Sequence, residues 1–192
     1  MQAAMQPTDV LAFWFGDPPS AQARGEWFRK DAAFDAQVQQ RFGAALELAL
    51  AGGLRQWDAE PPGALARIVV LDQFTRNAFR GTARAFAGDA LALAAARELV
   101  RSGGDRLLPP LQRWFAYLPF EHAEDLGSQA QSIALFTALA AADPVAEGAR
   151  VWAVKHRDVV QRFGRYPHRN ALLGRVSTAE EEAFLRESGS SF

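Results

Sequence analysis

Between Leu65 and Arg80 the chain reads LARIVVLDQFTRNAFR, and this stretch restricts the fold more than any other. Its first half is apolar on every side, as a helix in the middle of a protein would be. Its second half turns polar: Asp72, Arg76 and Arg80 recur four residues apart, with Gln73 and Asn77 on the adjacent row. At ~3.6 residues per turn these five groups share one broad stripe, while Leu71, Phe74 and Ala78 point elsewhere. Core at one end and rich in amide and charge at the other, such a helix is expected to wall a polar cleft.

The flanking sequence supplies further helices. Thr8 or Asp9 is expected to cap a short helix, VLAFWF, that Gly16 to Pro19 end. A long amphipathic helix from about Asp31 to Ala51 carries Phe34, Val38, Phe42, Ala45, Leu46 and Ala49 on one stripe, with Gly52 as its C-terminal stop. Pro61 and Pro62 set the start of the central helix, which Gly81 closes. Thr82 opens a brief helical turn, and Asp89 is expected to cap the alanine-rich ALALAAARELV. The break from Ser102 to Asp105 reads as a loop, because helices of the same kind continue beyond it.

Pro109 and Pro110 open the next helix, which Pro119 is expected to interrupt, so that a further helix runs from Phe120 to about Ala142. Asp143 and Pro144 stop it, Val145 to Phe163 is helical up to Gly164, and Thr178 with Glu181 makes a capping box for a last helix. No β-period alternation of useful length occurs. The expectation is one all-α domain over 1–192, of roughly seven to nine helices, arranged as a helical-repeat-like superhelix with degenerate repeats.

Composition limits what such a domain does. The net charge is -1 and the cysteine count is zero, which removes disulfides, thiolate metal sites and a cysteine nucleophile. Without cysteine, and with no basic, apolar leader at the start, the chain is expected to work in the cytoplasm. No run is apolar and long enough to cross a bilayer, so no membrane partner is expected.

Three stretches concentrate polar residues beside aromatics: LDQFTRNAFRG from Leu71, LPFEHAED from Leu118, and KHRDVVQRFGRYPHRN from Lys155. All three histidines, His122, His156 and His168, lie in the last two. In LPFEHAED, Glu121 and Asp125 are i, i+4 neighbours and His122 lies three residues before Asp125; the histidine is an acid/base candidate, and the carboxylates either serve it or cap and pair structurally. No His-Glu-x-x-His or Glu-x-x-His pair occurs, so no metal site is expected.

From Arg150 to Arg175 seven basic residues face Asp158 alone. Basic residues among aromatics can bind nucleic acid or an anionic ligand. In a chain of net charge -1, internal pairing with Glu121, Glu124, Asp125 and the run Glu180 to Glu182, plus a small anion, is the preferred account, and nucleic acid is not an expected partner. Pro167 stiffens the loop Arg165 to Asn170 and keeps Tyr166 out of the α-region; Asn170 is expected to cap the turn that follows. No Gly-x-Ser-x-Gly, phosphate loop or dinucleotide fingerprint is present.

Taken together, LDQFTRN, RGTARAFAGDALAL, LPFEHAEDL and HRDVVQRFGRYPHRNALLGR, with the Ser177-to-Leu185 segment, resemble a bacterial domain-of-unknown-function family, numbered 924, from about Val10 to Leu185. The resemblance implies an all-α, tetratricopeptide-like fold and names no reaction, cofactor or catalytic role. Relatives often carry Pro where this chain has Thr75, implying a bend or end of the central helix there. They often carry Ser where it has Ala123, so a serine nucleophile is unavailable at that position.

The leading functional expectation is a polar cleft that binds a small anionic ligand. Arg76, Arg169 and Asn170 are expected as anion contacts; Asp72, Gln73, Asn77, Glu121, His122 and His168 form the polar wall. The alternatives are an acid/base hydrolase using His122 or His168, and a helical-repeat adaptor that binds a peptide along a concave face.

Overall fold

Proline, aspartate and glycine punctuate the chain into helices. A computed structural model describes residues 5–20 and 22–190, and among them it contains no strand. The order is α1 (Pro7–Phe15), α2 (Ala32–Leu50), α3 (Pro61–Val69), a π-helical turn (Val70–Phe74), α4 (Thr75–Ala78), α5 (Asp89–Arg101), α6 (Pro110–His122), α7 (Leu126–Ala142), α8 (Glu147–Phe163) and α9 (Ala179–Leu185). Single 3₁₀ turns fill several connections, and α3, the π turn and α4 form one continuous rod. The protein is all-α.

Local chemistry accounts for most boundaries. Asp31 accepts hydrogen bonds from the backbone of Ala33 (2.9 Å) and Phe34 (3.1 Å) and so starts α2. The Phe34–Val38–Phe42 stripe of α2 is buried, and Gly52 follows at φ +86°, where a side chain would be strained. Thr178 and Glu181 form the expected capping box of α9. Gly164 ends α8 in the left-handed region.

Other boundaries differ from expectation. α1 is capped by Gln6 rather than Thr8 or Asp9; the Asp9 carboxylate, one turn in, accepts the Gln6 N–H at 2.8 Å. α6 runs through Pro119 without interruption, because a proline removes one rung and the fully buried Phe115 and Phe120 hold the rod on both sides of it. The break comes later, at Ala123 with ψ 137°, and Asp125 caps α7 by accepting from the Ser128 N–H and Oγ. The carbonyls left open where α6 ends are met by a buried side chain: the Gln129 amide donates to the carbonyls of Glu121 and Ala123, both at 2.7 Å.

One main core runs from Val10 to Ala153 and is aromatic at its centre. Trp27 meets Phe115 at 4.6 Å between ring centroids, Trp14 meets Phe74 at 5.6 Å, and Phe42 meets Phe74 at 4.7 Å. Each large side chain buried this way contributes roughly 1.5–3 kcal/mol. A smaller cluster of Val159, Val160 and Tyr166 with Phe163 and Phe184 ties α9 to α8. From α5 to α8 each helix packs on its predecessor, an arrangement compatible with a repeat-like superhelix. No helix among the described residues is long and apolar enough to cross a membrane.

Candidate functional site

The π turn decides where the polar half of the central rod points. Asp72 and Gln73 lie within it, and Thr75 closes it by donating its hydroxyl to the Leu71 carbonyl at 2.8 Å. Asp72 is fully buried, accepts from Nε2 of Gln73 at 2.6 Å, and meets Nδ1 of His122 at 2.7 Å. Arg76 comes from the same side, donating to the Asp72 carbonyl at 2.6 Å and lying 3.4 Å from its carboxylate.

Arg76 then reaches the first residue of α5, Asp89, through two bonds of 2.9 and 3.2 Å. Asp89 is therefore not the expected cap of α5: Gly88 holds that position, and the carboxylate turns to the arginines instead. Its second partner is Arg169 at 3.0 Å, from the loop after α8. Phe86 and Tyr166 lie 4.7 and 4.6 Å from the Arg169 guanidinium carbon. A continuous chain of contacts thus links Arg169, Asp89, Arg76, Asp72 and His122.

A second layer lies beneath. Glu121 is 4% exposed, its Oε1 is 3.3 Å from Nδ1 of His156, and its Oε2 is buried without a hydrogen-bond partner among the described residues. The Tyr166 hydroxyl donates to the Glu121 carbonyl and accepts from Gln129 at 2.9 Å. The backbone N–H of Tyr166 is held by Glu124, which also forks Arg175 at 2.6 and 3.0 Å. The rings of His122 and His156 are 6.3 Å apart, and those of Tyr166 and His168 are 5.6 Å apart.

These surroundings set protonation. Burial opposes ionisation of Asp72, but Arg76 and His122 outweigh it and hold the carboxyl well below its usual range. Asp72 is therefore the acceptor, and His122 donates from Nδ1. Burial, and then Arg76, lower the pKa of His122 against the pull of Asp72, so the ring is neutral at pH 7 with an unprotonated Nε2. Burial pushes Glu121 up to about 8, helped by Asp72, so this carboxyl keeps its proton near neutrality. Burial brings His156 down to about 3 and His168, with Arg169 beside it, down to about 4.

Two of the expected wall and contact residues lie elsewhere. Asn77 donates to Asp35 of α2 at 2.7 Å, and Arg80 forks the same carboxylate at 2.6 and 2.8 Å. The single stripe is split because the π turn shifts the phase of the rod and α4 ends at Ala78. Asn170 faces Ser177 at 3.0 Å and Glu181 at 3.3 Å, where it pins the α9 entrance rather than joining Arg169. Asp72, Gln73, Arg76, Glu121, His122, His168 and Arg169 are brought together.

Asp89, Phe86, His156 and Tyr166 were not among the expected site residues. His156 and Tyr166 lie in the third polar string, but Phe86 and Asp89 lie outside all three, and nothing local links Asp89 to Arg169. Most basic residues of the third stretch are paired internally, as in Arg165 with Glu181 and Arg162 with Glu180. No group of three or more metal-ligating side chains is arranged for a cation among the described residues. Two surface pockets, one beside Pro61 and Leu99 and one beside Phe13 and Arg41, share no residue with the cluster. The cluster reaches solvent through Arg76, Asp89 and His122, whose side chains are 20, 19 and 15% exposed.

Comparison with known proteins gives the chain relatives but no reaction. None of the curated proteins matches it. A solved structure described as a protein of unknown function, ATU0120, from Agrobacterium tumefaciens is 40% identical, with a TM-score of 0.84, covering 95% of this chain and 97% of that one. The family model described as bacterial protein of unknown function (DUF924) matches residues 10–189, so the chain belongs to that family.

Proposed function

We propose that the cluster is an acid/base site in which His122 carries the proton and Asp72 positions the ring. The observation that carries this reading is the Asp72–His122 hydrogen bond of 2.7 Å, with Asp72 buried and Nε2 of His122 without a hydrogen-bond partner among the described residues. A neutral imidazole fixed through Nδ1 offers its other nitrogen as a base, and Asp72 offsets the charge that forms when the proton arrives.

Hydrolysis is the reaction class this arrangement suits. His122 Nε2 takes a proton from water, the water oxygen bonds to an acyl carbon, the bond to the leaving alcohol breaks, and the imidazolium returns its proton to that alcohol. With no cysteine to exploit an oxidising compartment, we assign this work to the cytoplasm.

The test is hydrolysis of 4-nitrophenyl acetate and mono-4-nitrophenyl succinate by the purified protein and by His122→Gln. A protein-dependent rate that disappears in the variant, with the circular dichroism spectrum unchanged, is the expected outcome. No rate with either ester, or the same rate in the variant, removes the hydrolytic assignment.

A further inference from the structure

We propose that the ligand of this site bears a carboxylate, and that Nε and Nη2 of Arg169 hold it in a two-pronged grip. The proposal deepens the acid/base reading by naming the substrate class. It starts from a regularity of this chain: five other arginines spend the same Nε and Nη2 edge on a carboxylate. Arg67 takes Asp58 at 2.7 and 2.6 Å, Arg80 takes Asp35 at 2.6 and 2.8 Å, and Arg165 takes Glu181 at 2.6 and 2.8 Å. Arg101 and Arg150 do likewise with Glu98 and Glu147.

Arg169 and Arg175 are the two arginines whose Nε is buried without a partner among the described residues, and Arg175 already spends both terminal nitrogens on Glu124, which leaves Arg169. It is 6% exposed, yet its Nε is buried with no hydrogen-bond partner, and its Nη2 makes no hydrogen bond among the described residues. Only Nη1 is spent, on Asp89, and that bond together with the Phe86 and Tyr166 rings fixes the guanidinium. A buried donor left unmet is a cost that a bound acceptor removes, and a planar fork matches a carboxylate atom for atom.

Charge decides between anions. Arg76 and Arg169 are balanced by Asp72 and Asp89, and Arg175 by Glu124, so the cluster is already neutral. A monoanion adds one charge beside two neutral histidines, His122 and His168, while a phosphate dianion adds two. Arg76 is not the grip, because both of its terminal nitrogens are committed to Asp72 and Asp89.

Calorimetric titration with butyrate, a monocarboxylate, and with inorganic phosphate tests the proposal on wild type, Arg169→Met, Arg169→Lys and His122→Gln. Butyrate is expected to bind wild type and His122→Gln, to bind Arg169→Lys at least tenfold more weakly, and to be lost in Arg169→Met. Because an Arg169 variant can fold poorly, the Nε–H resonance of Arg169 is also followed in wild type, where butyrate should shift it. No butyrate binding, an unmoved Nε–H, or phosphate binding as tightly as butyrate overturns the carboxylate assignment. Butyrate binding that survives while His122→Gln still hydrolyses esters would sink the acid/base reading and leave this one standing.

Discussion

A carboxyl sealed away from water makes a protein lose stability as the solution turns alkaline, and Glu121 is such a group. Its pKa stands at about 8 against an ordinary 4.5, raised first by burial and then by Asp72. The folded state therefore holds this proton more tightly than the unfolded chain. That contribution is fully present below the unfolded value and is lost as pH rises through the folded one. At ~1.4 kcal/mol per pKa unit the whole loss is about 5 kcal/mol, of which about 3 kcal/mol falls between roughly pH 6 and pH 9. Glu121→Gln keeps the shape and removes the titration. Urea unfolding across that window should show the variant gaining about 3 kcal/mol relative to wild type, since the histidines contribute equally to both and cancel in the difference. Parallel stability curves would mean that Glu121 ionises normally, and the reasoning about its surroundings would be wrong.

Four further outcomes follow from the same packing. Asp72→Asn strips a buried charge from between Arg76 and His122; it should cost about 3–5 kcal/mol, and the His122 midpoint in an NMR titration should fall further. On the acid side His156 and His168, at about 3 and about 4 against 6.5 unfolded, should drain stability as pH falls from 6.5 towards 4, and urea unfolding of His156→Gln should show a shallower loss. Gly63→Ala drives a Cβ into the Trp57 carbonyl, so the variant should lose at least the ~1–3 kcal/mol of ordinary overpacking, read as a lower melting temperature. Thr178→Ala removes the α9 cap and should cost ~1 kcal/mol by thermal unfolding.

The helices were legible because their signals are local. Asp31 before a Phe34–Val38–Phe42 stripe, Thr178 three residues before Glu181, and Gly164 after Phe163 each act within one or two turns. Pro119 misled because a proline breaks a helix only when packing does not hold its neighbours, and the burial of Phe115 and Phe120 is a tertiary fact. The site was legible as three strings and not as a geometry. Arg169 meets Asp89 across 80 positions and Asn77 meets Asp35 across 42, distances at which a residue's type says nothing of its partner. For the same reason Asn170, beside Arg169 in sequence, was expected beside it in the cluster, although the turn sends its amide to Glu181.

The π turn from Val70 to Phe74 holds one residue more than an α-helical turn would need, and that surplus acts as a phase shifter. Past it, every side chain is rotated by ~100° from where an unbroken helix would put it. One rod answers to two neighbours: Asp72, inside the turn, to His122, and Asn77, past it, to Asp35. Wound as an unbroken α-helix, the same residues would put Thr75 where Arg76 stands and dismantle the chain of contacts from Asp72 to Arg169. The polar centre of this protein is thus written as an insertion of one, the smallest edit by which a helix can be made to serve a second master.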